Sequence, residues 1–297
     1  MPLSKLRGVV GDSVRGVTHT SAELPNQDAI DWFPESGRGR HLVVALSDGH
    51  GSARCFRSDM GSFLGVYVAV ALGREFLDEI TRRPPDDAVE RARSQLTVDL
   101  VARWADAVRE DMGEHPLTDD ELALVESRDG GGARRAVESN PLLAYGATLL
   151  LSILSDDTAV FLQLGDGDIL AAYGDGSVAR PLPDDPRLVG DMTTSLCNAD
   201  AWKEFRVGHL SLGPESPRAL VMATDGFGNA YPDERSLLRA GSAMMKEIRE
   251  ASLEGVRGRL RGWLEEASLH SGDDVTAAVL WLGDEDAAHA GVLGAAR

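Results

Sequence analysis

The 297-residue sequence contains two cysteines, Cys55 and Cys197, too few for a disulfide framework or a cysteine-rich zinc site. Lysine is scarce too: Lys5, Lys203 and Lys246 are the whole set, and none follows a glycine, which excludes a Walker A phosphate loop. No GxGxxG, HExxH or GxSxG string occurs. That removes the usual sequence signals of dinucleotide binding, zinc proteolysis and the hydrolase nucleophile elbow. Positive charge is short overall, with 30 Lys and Arg against 48 Asp and Glu and a formal net charge of −18. Such a surface repels phosphate backbones and anionic lipid, so neither nucleic acid nor membrane is an expected partner. The longest nearly unbroken apolar stretch, Met60 to Leu72, is too short to span a bilayer and reads as a buried helix. No apolar segment followed by a small-residue cleavage site opens the chain, so the expected location is cytoplasmic.

What remains is a globular composition, 43% apolar and 26% charged, on enough chain for one large domain or two small ones. His41 to Ser47 is too brief for a helix and rich enough in Val and Leu for a buried strand. Ser58 to Ile80 reads as a helix. A second helix follows Pro84-Pro85, with Asp87 and Glu90 as a capping-box-like start and an apolar stripe of Val89, Ala92, Leu96, Leu100, Trp104 and Val108. From Gly113 to Pro141 the chain turns polar and contains Gly130-Gly131-Gly132, which predicts a mobile insert. Strands then dominate: Thr148 to Leu154, Thr158 to Leu164, Ile169 to Tyr173, Ser177 to Leu182, Trp202 to Leu210 and Ala219 to Ala223. Helical patterns return over Glu234 to Glu250 and Leu253 to His270 before a last strand, Val275 to Leu282. Adjacent strands plus separate helices predict an α+β domain with mostly antiparallel sheets.

The chemistry lies in where the aspartates fall. Asp48, Asp166 and Asp225 each close an apolar run and are followed by glycine, while Asp273 and Asp274 stand just before the last strand. Any one Asp-Gly pair reads equally as a turn. Strand-end carboxylates that converge cannot all stay ionised without a counter-charge, and an oxygen-only donor set suits Mg²⁺ or Mn²⁺. Two such ions would support hydrolysis by the two-metal route.

In order along the chain, Asn26-Gln27-Asp28-Ala29, Ser47-Asp48-Gly49-His50-Gly51, Gly146-Ala147-Thr148, Gly165-Asp166-Gly167, Thr224-Asp225-Gly226 and Asp273-Asp274-Val275-Thr276 resemble the motifs of metal-dependent protein phosphatases of the 2C type. The resemblance runs from about residue 11 to 282. It implies a single domain over 1–285, and the Ala-rich, acidic composition after Gly283 predicts a frayed tail at 286–297. The domain's core would be a central sandwich of two mostly antiparallel sheets flanked by helices on both outer faces. The resemblance also implies hydrolysis of phosphoserine and phosphothreonine in proteins, a phosphoprotein substrate and a cognate Ser/Thr kinase as partner. By position, Asp48 would bridge two metals, Gly49 would offer its carbonyl to one, and Asp225 and Asp273 would complete the other site. Asp28 would hold metal-bound water, Asp166 with Asp225 matches a weaker third-metal position, and His50 matches the general acid.

Two departures from the family pattern stand out. Glu23 occupies the place of a phosphate-gripping arginine, leaving His19, with Arg15 behind it, as candidate substitutes; His19 reads equally as a surface-loop residue. Gln27 replaces an acid in the outer metal shell, and Asp274 stands where the family often has Asn. The stretch Asp184 to Ala201 lies where the family has a variable flap. The missing arginine keeps open a second reading, an inactive adaptor of the same fold that binds phosphoproteins or regulates a kinase.

Overall fold

The computed structural model describes residues 7–188 and 193–283. Residues 286–297, expected to be a frayed tail, lie outside the described residues.

Eleven strands are described: β1 (Arg7–Val14), β2 (Asp28–Phe33), β3 (Arg38–Gly39), β4 (Leu42–Asp48), β5 (Leu149–Leu154), β6 (Thr158–Leu164), β7 (Asp168–Ala172), β8 (Val178–Ala179), β9 (Arg206–Ser211), β10 (Ala219–Ala223) and β11 (Val275–Trp281). They form a six-stranded sheet, ordered β3-β1-β11-β10-β7-β8, and a five-stranded sheet, ordered β2-β4-β5-β6-β9. Every paired neighbour is antiparallel.

The helices are α1 (Val17–Ser21), α2 (Ser58–Arg82), α3 (Pro85–Arg91), α4 (Thr97–Glu114), α5 (Asp119–Ser139), α6 (Ala201–Glu204), α7 (Asp225–Gly228) and α8 (Glu234–Ser271). Alternation along β4 shows how they pack. Leu42, Val44 and Leu46 enter a core shared with Leu220, Met222, Ala278 and Leu280 of the other sheet. Val43 and Ala45 point the opposite way, into a core shared with α2 and α4. A third core joins the outer face of the six-stranded sheet to Val256, Leu260 and Leu264 of α8. The central strands are thus buried on both faces, which is why their sequences are continuous apolar runs rather than alternating ones. The sandwich flanked by helices on both outer faces is the architecture that the resemblance implies. Helix α2 is long and apolar enough to cross a membrane by composition, yet it packs along β2, β4 and β5.

Four local expectations change. The 113–141 stretch is mostly helical rather than an irregular insert. Thr118 Oγ1 accepts from the Glu121 amide while the Glu121 carboxylate accepts from the Thr118 amide, which starts α5. The glycine triplet marks a break at Gly130 (φ 81°). Asp87 and Glu90 make no capping box, since α3 already begins at Pro85, whose nitrogen carries no N–H and needs no capping acceptor. A π-turn over Ala92–Leu96 joins α3 to α4 and keeps the four-residue stripe from Ala92 to Val108 inward. The run Trp202 to Leu210 splits into α6 and β9, because Ala-Trp-Lys-Glu lacks the β-branched residues that favour extension. The two expected C-terminal helices are the arms of α8, which bends at Ser252 (φ 67°).

Candidate active site

The topology gathers the acidic motifs at one end of the sandwich. Asp28 opens β2 directly opposite Asp48, which ends β4. On the other sheet, Asp225 follows β10 and starts α7, while Asp273 and Asp274 precede β11. Ala223 of β10 pairs with Ala277 of β11, and the Thr224 amide donates to Thr276 O at 3.0 Å, so these two ends stay in step. A Cβ on Gly226 would lie 2.0 Å from Asp274 O, a contact that no side chain tolerates. The glycine after Asp225 is therefore a packing requirement.

Burial and mutual repulsion set the electrostatics. The Asp48 carboxyl is pushed well above the usual carboxylate range by burial, then by Asp28 and Asp225. Asp28 is also pushed well up by burial, against hydrogen bonds from Thr224 and Thr276. Burial raises Asp225, with Asp48 and Asn229 opposing and Asp166 and Asp273 adding to it. Burial raises Asp273, partly offset by the Asp274 amide and His19. Asp28 Oδ2 accepts from Thr224 Oγ1 at 2.7 Å, while its Oδ1 is buried with no partner. Among the described residues, no three acids, cysteines or histidines already surround one point as a complete ion cage. The carboxyls stand as mutually repelling neighbours. An all-oxygen set with an orphaned buried oxygen and raised pKa values fits hard divalent cations, because a cation removes both the repulsion and the unmet acceptor.

Asp48, Gly49, His50, Asp166, Asp225 and Asp273 line one cleft of about 1230 Å³. Burial lowers the His50 pKa, with Asp166 opposing that shift and Arg54 adding to it. Asp166 Oδ1 accepts from Thr193 Oγ1 at 2.9 Å.

The two outer-shell candidates sit behind this floor. Asp274 is buried and ties three segments together, accepting from the amides of Gly16 and Gln27, both at 2.6 Å, with His19 Nδ1 at 2.8 Å. Gln27 offers its carbonyl to Gly49 N at 3.1 Å and keeps a buried, unpartnered Oε1. His19 reaches the cleft wall, but its Nδ1 is committed to Asp274. The structure does not bring Arg15 to the cleft. Its guanidinium turns instead to Thr20 Oγ1 at 3.1 Å and Leu24 O at 3.3 Å.

Several cleft residues escape a motif reading. Asn229 Nδ2 donates to Asp225 Oδ2 at 3.0 Å, and the four-residue spacing within one helical turn was a legible sign of that contact. Asp168 and Arg180 form a cleft-wall ion pair at 2.7 Å. Arg54 also lines the cleft and has no acidic partner among the described residues. Nothing in the sequence distinguishes it from other arginines.

A family model described as protein phosphatase 2C matches residues 15–265. The chain belongs to the protein phosphatase 2C family. No curated protein matches it in sequence. Solved structures share the family fold. PppA, described as a key regulatory component of the T6SS in Pseudomonas aeruginosa, is 19% identical with a TM-score of 0.51, covering 93% of this chain and 97% of its own. The catalytic domain of the serine/threonine phosphatase PstP, solved with two manganese ions, is 16% identical with a TM-score of 0.52, covering 93% and 98%. The S. agalactiae serine/threonine phosphatase is 18% identical with a TM-score of 0.54, covering 93% and 99%. At these identities the likeness speaks for the fold alone, and the family's chemistry rests here on the residues of the cleft.

Proposed function

We propose that this protein hydrolyses phosphoserine and phosphothreonine in protein substrates, using two Mn²⁺ or Mg²⁺ ions, with Asp166 available to a weaker third. The observation that carries the reading is the convergence of Asp28, Asp48, Asp225 and Asp273 at one end of the sandwich, with burial holding their pKa values up. Asp48, Asp225, Asp273 and the Gly49 carbonyl would hold the ions, with Asp28 accepting a hydrogen bond from behind. When bound, such ions supply charge neutralisation at a phosphoryl group and a nucleophilic oxygen at neutral pH.

The chain's own residues divide the remaining tasks. Arg54, on the cleft wall and without an acidic partner among the described residues, meets the phosphate dianion with a fork of N–H donors. It takes the part for which His19 and Arg15 were the sequence candidates. His50 stands on the same wall and gives a proton to the departing serine or threonine oxygen. Its lowered pKa makes it a readier donor, though a smaller fraction of molecules carries the proton at neutral pH. Thr224 and Asn229 hold Asp28 and Asp225 in place. A cognate Ser/Thr kinase that phosphorylates the same substrates is the partner this activity implies, and the cytoplasm is the compartment we assign.

The test is release of phosphate from a phosphothreonine peptide with Mn²⁺, with and without EDTA. Turnover with metal and none with chelator supports the proposal. Turnover indifferent to EDTA would refute the metal dependence, and binding of the phosphopeptide without turnover under either metal would establish the adaptor reading instead.

A further inference from the structure

The two cysteines are distant in sequence and meet at one point in the fold. The segment Ala144–Ala147 is clasped on both sides. His50 and Arg57 donate backbone hydrogen bonds to Gly146 O (3.0 Å) and Ala144 O (2.8 Å), and Leu196 donates to Ala147 O (2.9 Å). A Cβ built on Gly146 would lie 2.9 Å from Cys55 Sγ, 3.2 Å from Cys197 Sγ and 2.9 Å from His50 Cδ2. The two sulfurs therefore border the same vacant side-chain position, and they can be no farther apart than those two distances laid end to end. Both thiols are free and buried, and both line the cleft that holds the carboxylates. Each touches a serine hydroxyl at 3.2 Å, Ser52 for Cys55 and Ser195 for Cys197. None of the roles assigned above uses them.

We propose that Cys55 and Cys197 form a reversible modification site, a dithiol that oxidants of the hydroperoxide class close to a disulfide across Gly146, beside His50. With hydrogen peroxide, one thiolate attacks the O–O bond; an S–O bond forms, the O–O bond breaks, and the leaving hydroxide takes up a proton to become water. The second thiolate then displaces hydroxide from that sulfur; the S–S bond forms, the S–O bond breaks, and a second water results. The cysteines lose two electrons and two protons, and the peroxide is reduced to two waters.

Gly146 makes the closure sterically open, since any side chain there would occupy the space the disulfide crosses. Closure shortens the sulfur separation to about 2.05 Å and pulls residue 55 toward residue 197 over the carbonyl that holds the His50 amide. The His50 ring borders the same space, so the new bond displaces it from the cleft wall. Burial pushes both thiols up, which keeps them mostly protonated and reserves closure for strong or sustained oxidant. The disulfide itself rests on geometry alone; its effect on turnover rests on the phosphatase reading.

The full chain is treated with hydrogen peroxide, quenched by denaturation with an alkylating reagent, and read by mass spectrometry. The expected result is loss of the mass of two hydrogens, a peptide in which Cys55 is linked to Cys197 within one chain, and reversal by dithiothreitol. Phosphopeptide turnover is expected to fall by about ten-fold or more, as for loss of a general acid, and to return on reduction. Cys55→Ser and Cys197→Ser should lose neither the hydrogens nor the activity under the same dose. A trivalent arsenical, phenylarsine oxide, gives a second reading that needs no substitution: one equivalent per chain should bind and block the disulfide. Two thiols still alkylatable after peroxide, or cysteines linked only between chains, would overturn the site. A complete intrachain disulfide with undiminished turnover would overturn its effect on His50. Because mass decides the first question, an enzyme without turnover would sink the phosphatase reading and leave the dithiol decided on its own.

Discussion

Asp28 and Asp48 are direct cross-strand partners, the terminal pair of the β2–β4 ladder. Like charges placed opposite one another in a sheet destabilise it, and burial makes the cost larger. Both carboxyls hold raised pKa values in the fold, so the folded chain binds more protons than the unfolded one between the unfolded and folded values. Stability from this pair falls as pH rises through that window. Asp48→Asn is therefore expected to stabilise the metal-free protein by on the order of 1–3 kcal/mol at neutral pH. The gain should shrink as pH falls through the window and vanish below the unfolded value. Thermal melts of the chelated proteins from acid to neutral pH check this; a variant less stable than the parent at neutral pH would contradict it. The same variant is expected to lose the stabilisation that Mn²⁺ gives the parent.

His50 should matter in proportion to the leaving group. His50→Ala is expected to slow a phosphothreonine peptide by about 10²-fold while leaving p-nitrophenyl phosphate nearly untouched, because an alkoxide needs a proton and a nitrophenolate does not. Paired kcat measurements decide it, and equal slowing of the two substrates would remove the proton-donor role.

Arg54 offers a clean split between binding and chemistry. Arg54→Ala is expected to raise KM for the phosphopeptide by roughly ten-fold or more and to weaken inhibition by inorganic phosphate to match, as loss of a charged hydrogen bond should. Arg54→Lys should recover part of that, since it restores charge without the fork. Unchanged phosphate inhibition in Arg54→Ala would leave the cation without a role in the cleft.

How much of this was readable from the sequence depends on the range of the interaction. The acidic motifs were legible because each aspartate follows or precedes an apolar run that must be a buried strand, so Asp48, Asp225 and Asp273 announce both position and chemistry. The same runs pointed to an α+β domain with mostly antiparallel sheets, and the two-sheet sandwich came from the resemblance of the motifs. Helix α5 was hidden by its glycine triplet, although Thr118 and Glu121 spelled out its start. Its anchorage was not legible at all: Arg57 reaches Glu121 at 2.9 and 3.0 Å from a distant part of the chain. The same limit hid the Asp274–His19 contact, the place of Arg54 on the cleft wall and the meeting of the two sulfurs, each fixed only when separate segments pack.

The helical state of the 113–141 stretch has a direct check. Trypsin is expected to cut after Arg128, Arg134 and Arg135 no faster than at other helical arginines. Thr118→Ala should cost about 1 kcal/mol and speed cleavage there. Rapid nicking of the parent protein within this stretch would restore the reading of an irregular insert.

On the proposed function, the acidic end of the sandwich holds a pair of divalent cations. Anomalous diffraction from crystals grown with Mn²⁺ tests it most directly. Two peaks are expected in the cleft, held among Asp48, Asp225, Asp273 and the Gly49 carbonyl. Well-ordered carboxylates with no anomalous peak among them, under manganese in excess, would contradict it.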